Sequence, residues 1–291
     1  MAIAGTKDLA DAFTQGRWHL QRFQKNAGST GDSHWQDWSF ASGQPAYDAR
    51  IGDSLTFTPF TAARNDAIYF PGISASHKRH LVSMAVYTTP SSTGQLTVAY
   101  QMYDLLGVYP LIDGDNTDAQ VMDNTDSLPR YTDGIGVRAV LVNHVAPAAA
   151  AGSPAAINYV NADDEAKSMT VYTTLFGSGK AAWSMETAGT GTGNLYLPVD
   201  GRGIKRVTSL QFSTAPGGLW AVYLVKPIEG IVWNGGLAGV TQTVYAVKDI
   251  AQHSSFHLPV IEDGAWLGFF YMPNGSSRTV ATFGYAVFAW G

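Results

Sequence analysis

The chain has 291 residues, a net charge of −5 and no cysteine, and only 14 % of its residues are charged. That length suits two domains of ordinary size. The lack of a basic block argues against a nucleic-acid footprint, and zero cysteine excludes a disulfide framework and thiolate metal sites. No charged-then-apolar leader follows Met1, and no apolar run approaches the roughly 20 residues of a membrane helix. The expectation is a soluble, unprocessed chain that binds neither nucleic acid nor membrane. Soluble chains average roughly 25 % charged residues. With so few charges to solvate its surface, this chain is expected to bury part of it against other chains, with a Ser/Thr/Asn-rich surface as the alternative.

The first element is a helix predicted over Thr6 to Phe23. Leu9, Phe13, Gly16, Leu20 and Phe23 follow one another at steps of four or three, which places them on one face. Thr6 is the expected N-cap, and Asp8 sits in the first turn. Gly28 and Gly31 are expected to stop the helix, which either packs on the first domain or reaches a neighbour as an arm. An irregular, aromatic-rich stretch follows, with Trp35, Trp38, Phe40, Tyr47 and Phe57.

From there, strand signals dominate. Alternation and β-branched or aromatic residues predict strands at Leu81–Thr89, Gln95–Tyr103, Val137–Val145 and Ser168–Phe176. The same signals recur at Val207–Ser213, Leu219–Lys226, Gln242–Val247, Trp266–Met272 and Thr279–Trp290. Turn residues separate them at Pro90 to Gly94, Pro216 to Gly218 and Pro273 to Gly275. Pro147 to Pro154 reads as an exposed loop, and Gly177 to Gly193 as the linker between halves.

The halves look like one design used twice. Ile68-Tyr69-Phe70-Pro71 returns as Leu195-Tyr196-Leu197-Pro198, and Lys78-Arg79 returns as Lys205-Arg206. Leu128-Pro129 followed by Asp133-Gly134 returns as Leu258-Pro259 followed by Asp263-Gly264. The matches keep their order at offsets between 123 (Leu96 to Leu219) and 130 (Pro129 to Pro259) residues. Short strands, Gly/Pro turns and no intervening helices predict an all-β fold. The predicted architecture is a tandem duplication of antiparallel, jelly-roll-like β-sandwich domains behind an N-terminal helix or arm. An immunoglobulin-type sandwich is the second choice. The expected boundaries are residues 1–50 for the helix and extended arm, 51–178 for the first sandwich and 179–291 for the second.

Chemical motifs are weak. Gly177-Ser178-Gly179-Lys180 lacks the first glycine and the final Ser/Thr of a phosphate-binding loop. Asp113, Asp115, Asn116 and Asp118 have the oxygens for Ca²⁺ but not the spacing, and read as a solvated loop. His253 with His257 lacks the Glu of a zinc-protease helix, and His77 and His80 read as surface histidines. Asp133 and Asp263 occupy equivalent turns of separate halves and are not expected to converge as a glycosidase pair. Trp35, Trp38, Trp220, Trp233 and Trp266 fit a core or interface better than a sugar platform. No catalytic residue, cofactor or metal site is expected.

The stretch from Phe13 to Leu20, leading into duplicated Gly/aromatic-rich β-domains with the Leu128–Gly134 segment repeated, resembles tailed-bacteriophage virion structural proteins. The resemblance implies a non-enzymatic protein present in many copies on a virion assembled in the host cytoplasm. Its partners would be itself, as a homo-oligomer, and other virion proteins such as the major capsid protein. Within that class the expected role is capsid decoration, bridging capsid subunits. A small double-jelly-roll major capsid protein and a tail-associated receptor- or glycan-binding protein are the alternatives. Leu9, Phe13, Trp18, Leu20, Phe23, Trp35 and Trp38 are the candidate assembly contacts.

Overall fold

The computed structural model describes residues 2–30, 35–38, 42–45, 53–61, 67–90, 96–145, 154–172, 185–186, 195–235, 244–249, 258–273 and 278–291. One helix, α1 (Thr6–Thr14), precedes β1 (Trp18–Thr30), β2 (Gln36–Asp37), β3 (Ser42–Gln44) and β4 (Thr58–Pro59). Next come β5 (Arg79–Pro90), β6 (Leu96–Asp113), β7 (Gln120–Val121), β8 (Arg138–Val145) and β9 (Pro154–Asn161). The remainder are β10 (Ala166–Tyr172), β11 (Met185–Glu186), β12 (Ile204–Phe212), β13 (Leu219–Gly235), β14 (Val244–Asp249), β15 (Val260–Ile261), β16 (Leu267–Pro273) and β17 (Arg278–Trp290). The fold is all-β, with antiparallel sheets and a short N-terminal helix.

The predicted helix over Thr6 to Phe23 is real only to Thr14. Gly16 takes a left-handed φ of 69°. Its N–H donates to Phe13 O (3.1 Å), and the Arg17 N–H donates to Ala12 O (2.8 Å). Those two bonds close the helix C-terminus as a Schellman motif. The N-cap is Gly5 and not Thr6, with no side-chain capping bond. From Trp18 onward the chain is β1, pairing with β17 from Trp18↔Ala289 through Arg22↔Tyr285 and beyond. The stretch expected to end the helix or to reach out as an arm is thus a full member of a sheet.

Among the described residues, three sheets are present. The first runs β14-β5-β17-β1-β3, with β15 also on β5; the second runs β10-β9-β12-β7. The central sheet runs β11-β8-β13-β6-β16-β2, with β4 also on β6. The first sheet packs Phe23, Met84, Val86 and Phe288 against Tyr100, Met102, Leu267 and Phe269 of the central sheet. The second packs Ile157, Tyr159, Val207 and Leu210 against Tyr109, Ile112, Leu141 and Val222. A third core, with Tyr103, Val108, Val140, Tyr223 and Phe270, is covered by Trp35, Phe60, Ala67 and Leu195 from loops. Burial of this apolar surface, at roughly 25 cal/mol per Å², is the main force holding the layers together.

The duplication is visible, but the halves are not side by side. Matching β1, β2, β5, β6, β7, β8 and β9 in order with β10, β11, β12, β13, β14, β16 and β17 reproduces the pairings. The pairs β1–β17, β5–β17, β5–β14, β6–β16 and β16–β2 become β10–β9, β12–β9, β12–β7, β13–β8 and β8–β11, all of them observed. The pair β6–β13 maps onto itself, from Leu219↔Asp113 to Gly235↔Leu96, with Lys226↔Asp104 at its middle. Every sheet therefore draws strands from both sides of residue 178. The boundary expected between residues 178 and 179 does not separate two sandwiches: each sandwich is completed by strands of the other half. The physical reason is that pairing within a copy and pairing across copies satisfy the same alternation. The long β6–β13 ladder commits the chain to crossing over.

The turns expected to be equivalent are so. Gly134 and Gly264 both take left-handed φ values, 75° and 74°. The predicted turns at Pro90 to Gly94 and Pro273 to Gly275, the linker at Gly177 to Gly193, the phosphate-loop-like segment and His253 with His257 fall wholly or largely outside the described residues. So do most of Pro147 to Pro154 and the side chain of Trp233.

Candidate assembly surface

Alternation along β1 sorts its side chains by face. Trp18, Leu20, Arg22 and Gln24 point out of the sandwich and are exposed, while Phe23 and Lys25 point in and are buried. On the neighbouring β17, Phe283 is exposed and Tyr285 and Val287 are half-buried, whereas Ala286 and Phe288 are buried. Gly284 lies directly opposite Phe23. A Cβ there would meet the Phe23 ring at 2.7 Å, so the glycine is what lets this ring lie flat against the sheet. The result is an outer face carrying Trp18 at 43 %, Leu20 at 37 % and Phe283 at 38 % exposure. The Phe13 ring, on α1, sits 5.7 Å from that of Trp18 and extends the apolar strip. A groove of about 360 Å³ runs beside it, with Arg22, Gln24, Gln44, Phe283 and Tyr285 among its lining.

Of the seven residues expected to make assembly contacts, the structure brings Phe13, Trp18 and Leu20 together on this exposed face. Leu9 is partly buried against the first core. Phe23, Trp35 and Trp38 are corrections: they are 3 %, 8 % and 2 % exposed. Phe23 and Trp38 pack edge-on with ring centroids 5.2 Å apart, and Phe269 packs against both. Those rings are consumed by the chain's own core. Phe283 and Tyr285 escaped the sequence reading, because their place on this face, opposite Gln24 and Arg22, comes from the β1–β17 register, and Arg22 escaped it because this stretch of β1 read as a helix. The outward alternation of β17 was the available signal.

A second notable cluster lies where the halves cross. The Asp104 carboxylate, fully buried, accepts from Arg130 Nη2 (2.6 Å), Arg130 Nε (2.9 Å) and the Trp266 N–H (2.9 Å). Arg130 also donates to the carbonyls of Phe60 and Leu105, each at 3.0 Å. Burial raises the Asp104 carboxyl to about 6, against the pull of Arg130. Next to it, Lys226 Nζ lies 5.0 Å from the Tyr131 ring and donates to Ile135 O (2.9 Å). Burial lowers the Lys226 pKa. With no exposure, Asp104 cannot touch a substrate; the cluster works as a clamp joining β6, β16 and the Arg130 loop. A cavity of about 480 Å³ beside it is lined by His80, Tyr131, Lys226, Leu258 and Glu262. His80 is 4 % exposed, contrary to its reading as a surface residue. Its Nε2 accepts from the Ile3 N–H (3.4 Å), and its Nδ1 bonds Leu258 O (3.3 Å).

The remaining polar motifs have local roles. Asp113 Oδ1 accepts from the Asp115 N–H (2.9 Å), and Asn116 Oδ1 from the Asp118 N–H (2.8 Å), so the acidic loop is stitched by Asx turns. Among the described residues, no group of three or more His, Asp or Glu could hold a metal ion. Asp133 accepts from its own turn (Ile135 N–H, 3.0 Å), and Asp263 faces Arg79 (3.4 Å). Trp220 and Trp266, like Trp35 and Trp38, are buried and offer no sugar platform.

No protein-family model matches the chain, and no curated protein is significantly similar to it. Among solved structures, it is similar to VP2 of infectious bursal disease virus in a subviral particle, at 10 % identity. That match covers 94 % of this chain and 80 % of that one, with a TM-score of 0.19. The T=1 particles derived from the same virus match at 11 % identity over 94 % and 77 % of the two chains, with a TM-score of 0.21. The Gt strain of the virus matches at 10 % identity over 94 % and 80 %, with a TM-score of 0.20. Scores this low transfer neither fold nor function. What the chain's own geometry defines is an all-β protein of interlocked antiparallel sandwiches with an exposed aromatic sheet face.

Proposed function

We propose that this chain is a non-enzymatic structural protein of a virus particle, acting in capsid decoration by bridging capsid subunits. The observation that carries this reading is the outer face of β1 and β17. Phe13, Trp18 and Leu20 form an apolar strip on a sheet packed on the core beneath it, with Phe283 further along the same face beyond Arg22. Aromatic residues on a pre-organised surface bind a protein partner at low entropic cost. The low charge of the chain and its resemblance to tailed-phage virion proteins point the same way. The interlocked halves suit the role, since a body whose sandwiches complete one another resists being pulled apart.

The test is co-sedimentation with assembled viral capsid particles lacking this chain. Wild-type protein is expected to pellet with them, and Trp18→Ala with Phe283→Ala to stay in the supernatant. Failure of the wild type to bind particles would remove the decoration role.

A further inference from the structure

The cavity of about 480 Å³ beside the Asp104 clamp holds charges that the chain itself leaves unused. Its walls are aliphatic: Ile3 from the segment before α1, Ile228 from β13, and Leu258 and Val260 from the β15 region. Lys226, Tyr131 and Glu262 bring the polar groups. Among the described residues, the Lys226 ammonium makes one hydrogen bond, to Ile135 O (2.9 Å), although it carries three donors. A Cβ at Gly136 would collide with Nζ, so the glycine there, at a left-handed φ of 71°, leaves the ammonium its room. Burial lowers the Lys226 pKa, and Asp133 opposes this only from a distance, without an ion pair. Tyr131 holds a left-handed φ of 50°, a conformation that bulky residues avoid and that concentrates at functional sites. Neither its hydroxyl nor the Glu262 carboxylate makes a hydrogen bond or ion pair among the described residues. Burial raises the Tyr131 pKa, and the charges of Asp104 and Glu262 add to the rise, so the phenol stays a donor.

We propose that this cavity binds a small zwitterion with an aliphatic body, the chemistry of a short aliphatic peptide with free ends. The ligand's carboxylate meets Lys226 and the Tyr131 hydroxyl, its ammonium meets Glu262, and its body lies on the aliphatic walls. The occupant follows from the charges. Lys226 and Glu262 face one cavity yet form no ion pair with each other. An anion alone would meet Glu262 and a cation alone would meet Lys226; one molecule carrying both charges satisfies both. The volume lies within the roughly 300–1,000 Å³ of small-molecule sites, whose linings join apolar walls to a few polar groups. Val260 and Glu262 reach solvent at the rim, which gives a ligand its way in. His80 is engaged with Ile3 and Leu258 and holds the wall in place. The duplication supplies a contrast. Leu128 and Thr132, the counterparts of Leu258 and Glu262 at an offset of 130, line a cavity of only about 130 Å³. Thr132 stands there in place of a carboxylate. The phenol that lines it is already taken, since Tyr109 donates to Asn124 Oδ1 (2.7 Å) and accepts from the Val207 N–H (3.0 Å). The site thus belongs to one half alone, and the inference is independent of the particle the chain joins.

The test is a methyl NMR titration of the full chain with leucyl-leucine. Saturable shifts are expected at the methyls of Ile3, Ile228, Leu258 and Val260, with Leu210, buried in the second core, unmoved. Two capped probes separate the charges: N-acetyl-leucyl-leucine lacks the ammonium, and leucyl-leucine amide lacks the carboxylate. Each is expected to bind at least about tenfold more weakly than leucyl-leucine. Glu262→Gln, which keeps the side chain's size, is expected to lower the leucyl-leucine affinity about tenfold and to abolish the preference over the acetylated probe, with an unchanged melting temperature. Lys226→Met is expected to abolish the preference over the amide. The absence of saturable shifts at these methyls up to about 10 mM leucyl-leucine would overturn the proposal. So would equal binding of all three probes, or a Glu262→Gln chain that binds them as the wild type does.

Discussion

The strands β1 and β10 are counterparts in the interlocked halves, and both lie toward the outside of their sheets, yet they are finished in opposite ways. At β10, Lys167 bridges Glu165 and Asp200, each at 3.1 Å, while Asp164 holds Lys205 and Asp163 holds Arg202 at 2.6 Å. Hydrogen bonding to Lys167 lowers the Glu165 pKa, and the same pair raises that of Lys167. These exposed pairs add little stability. Lys167 puts charge on this edge strand, a usual protection of a sheet edge, while the other two pairs lie at the β9–β10 turn and the start of β12. At β1 the flanking side chains are Trp18 and Leu20. Duplication produced two counterpart strands; among the described residues, one carries charge on its side chains and the other presents apolar ones.

The largest effect is expected from changes that strike both ends at once. Arg130→Met leaves the Asp104 carboxylate buried without its counter-charge and should cost about 3–5 kcal/mol in urea denaturation at neutral pH. Both sandwiches should lose stability in one transition, because the clamp sits at the crossing. If only one end melts early, the halves are not interlocked as described.

A change confined to the β1 end comes next. Phe23→Ala empties the space over Gly284 and should cost about 3–5 kcal/mol. Deleting residues 1–28 should cost more, since it removes a sheet strand and not an appendage. A truncated chain with an unchanged melting temperature would show that β1 is dispensable. The matched change at the other end, Lys167→Leu, should shift stability by less than about 0.5 kcal/mol. It should nevertheless raise self-association in light scattering, by making the β10 edge resemble that of β1.

A further effect is in pH. The folded chain holds the Asp104 proton more tightly than the unfolded chain does, because burial raises its pKa from 3.8 to about 6. Its favourable contribution is therefore complete below 3.8 and is lost as pH rises through about 6. In Asp104→Asn, this component of the slope of stability against pH between those values should disappear. An unchanged slope would mean that Asp104 is not the titrating group.

Much of this fold could be read in the sequence. Each of the nine predicted strands overlaps a strand of the described residues, because alternation and turn residues are local signals. The helix was over-read because Leu20 and Phe23 continue the spacing of Leu9, Phe13 and Gly16, while the inward residues His19, Gln21 and Lys25 of β1 are polar and hide its alternation. The strand β9 was missed because Pro154-Ala155-Ala156 looks like the end of the Ala-rich loop before it. The repeat was legible in Asp133-Gly134 and Asp263-Gly264, but which copy pairs with which was not, since both choices bury the same faces. At the candidate surface, Phe13, Trp18 and Leu20 were legible as aromatic or apolar assembly candidates, while their exposure is set by the sheet face they occupy. The burial of Trp35 and Trp38 depends on residues such as Phe60 and Phe269, remote in sequence.

The contrast between the two edges is tested most directly by residue-resolved amide hydrogen exchange, on dilute protein and on associated protein. The amides of Trp18, Leu20 and Arg22 should gain protection on association, with β10 unchanged. Equal protection gained at both edges, or none gained at β1, would contradict the account.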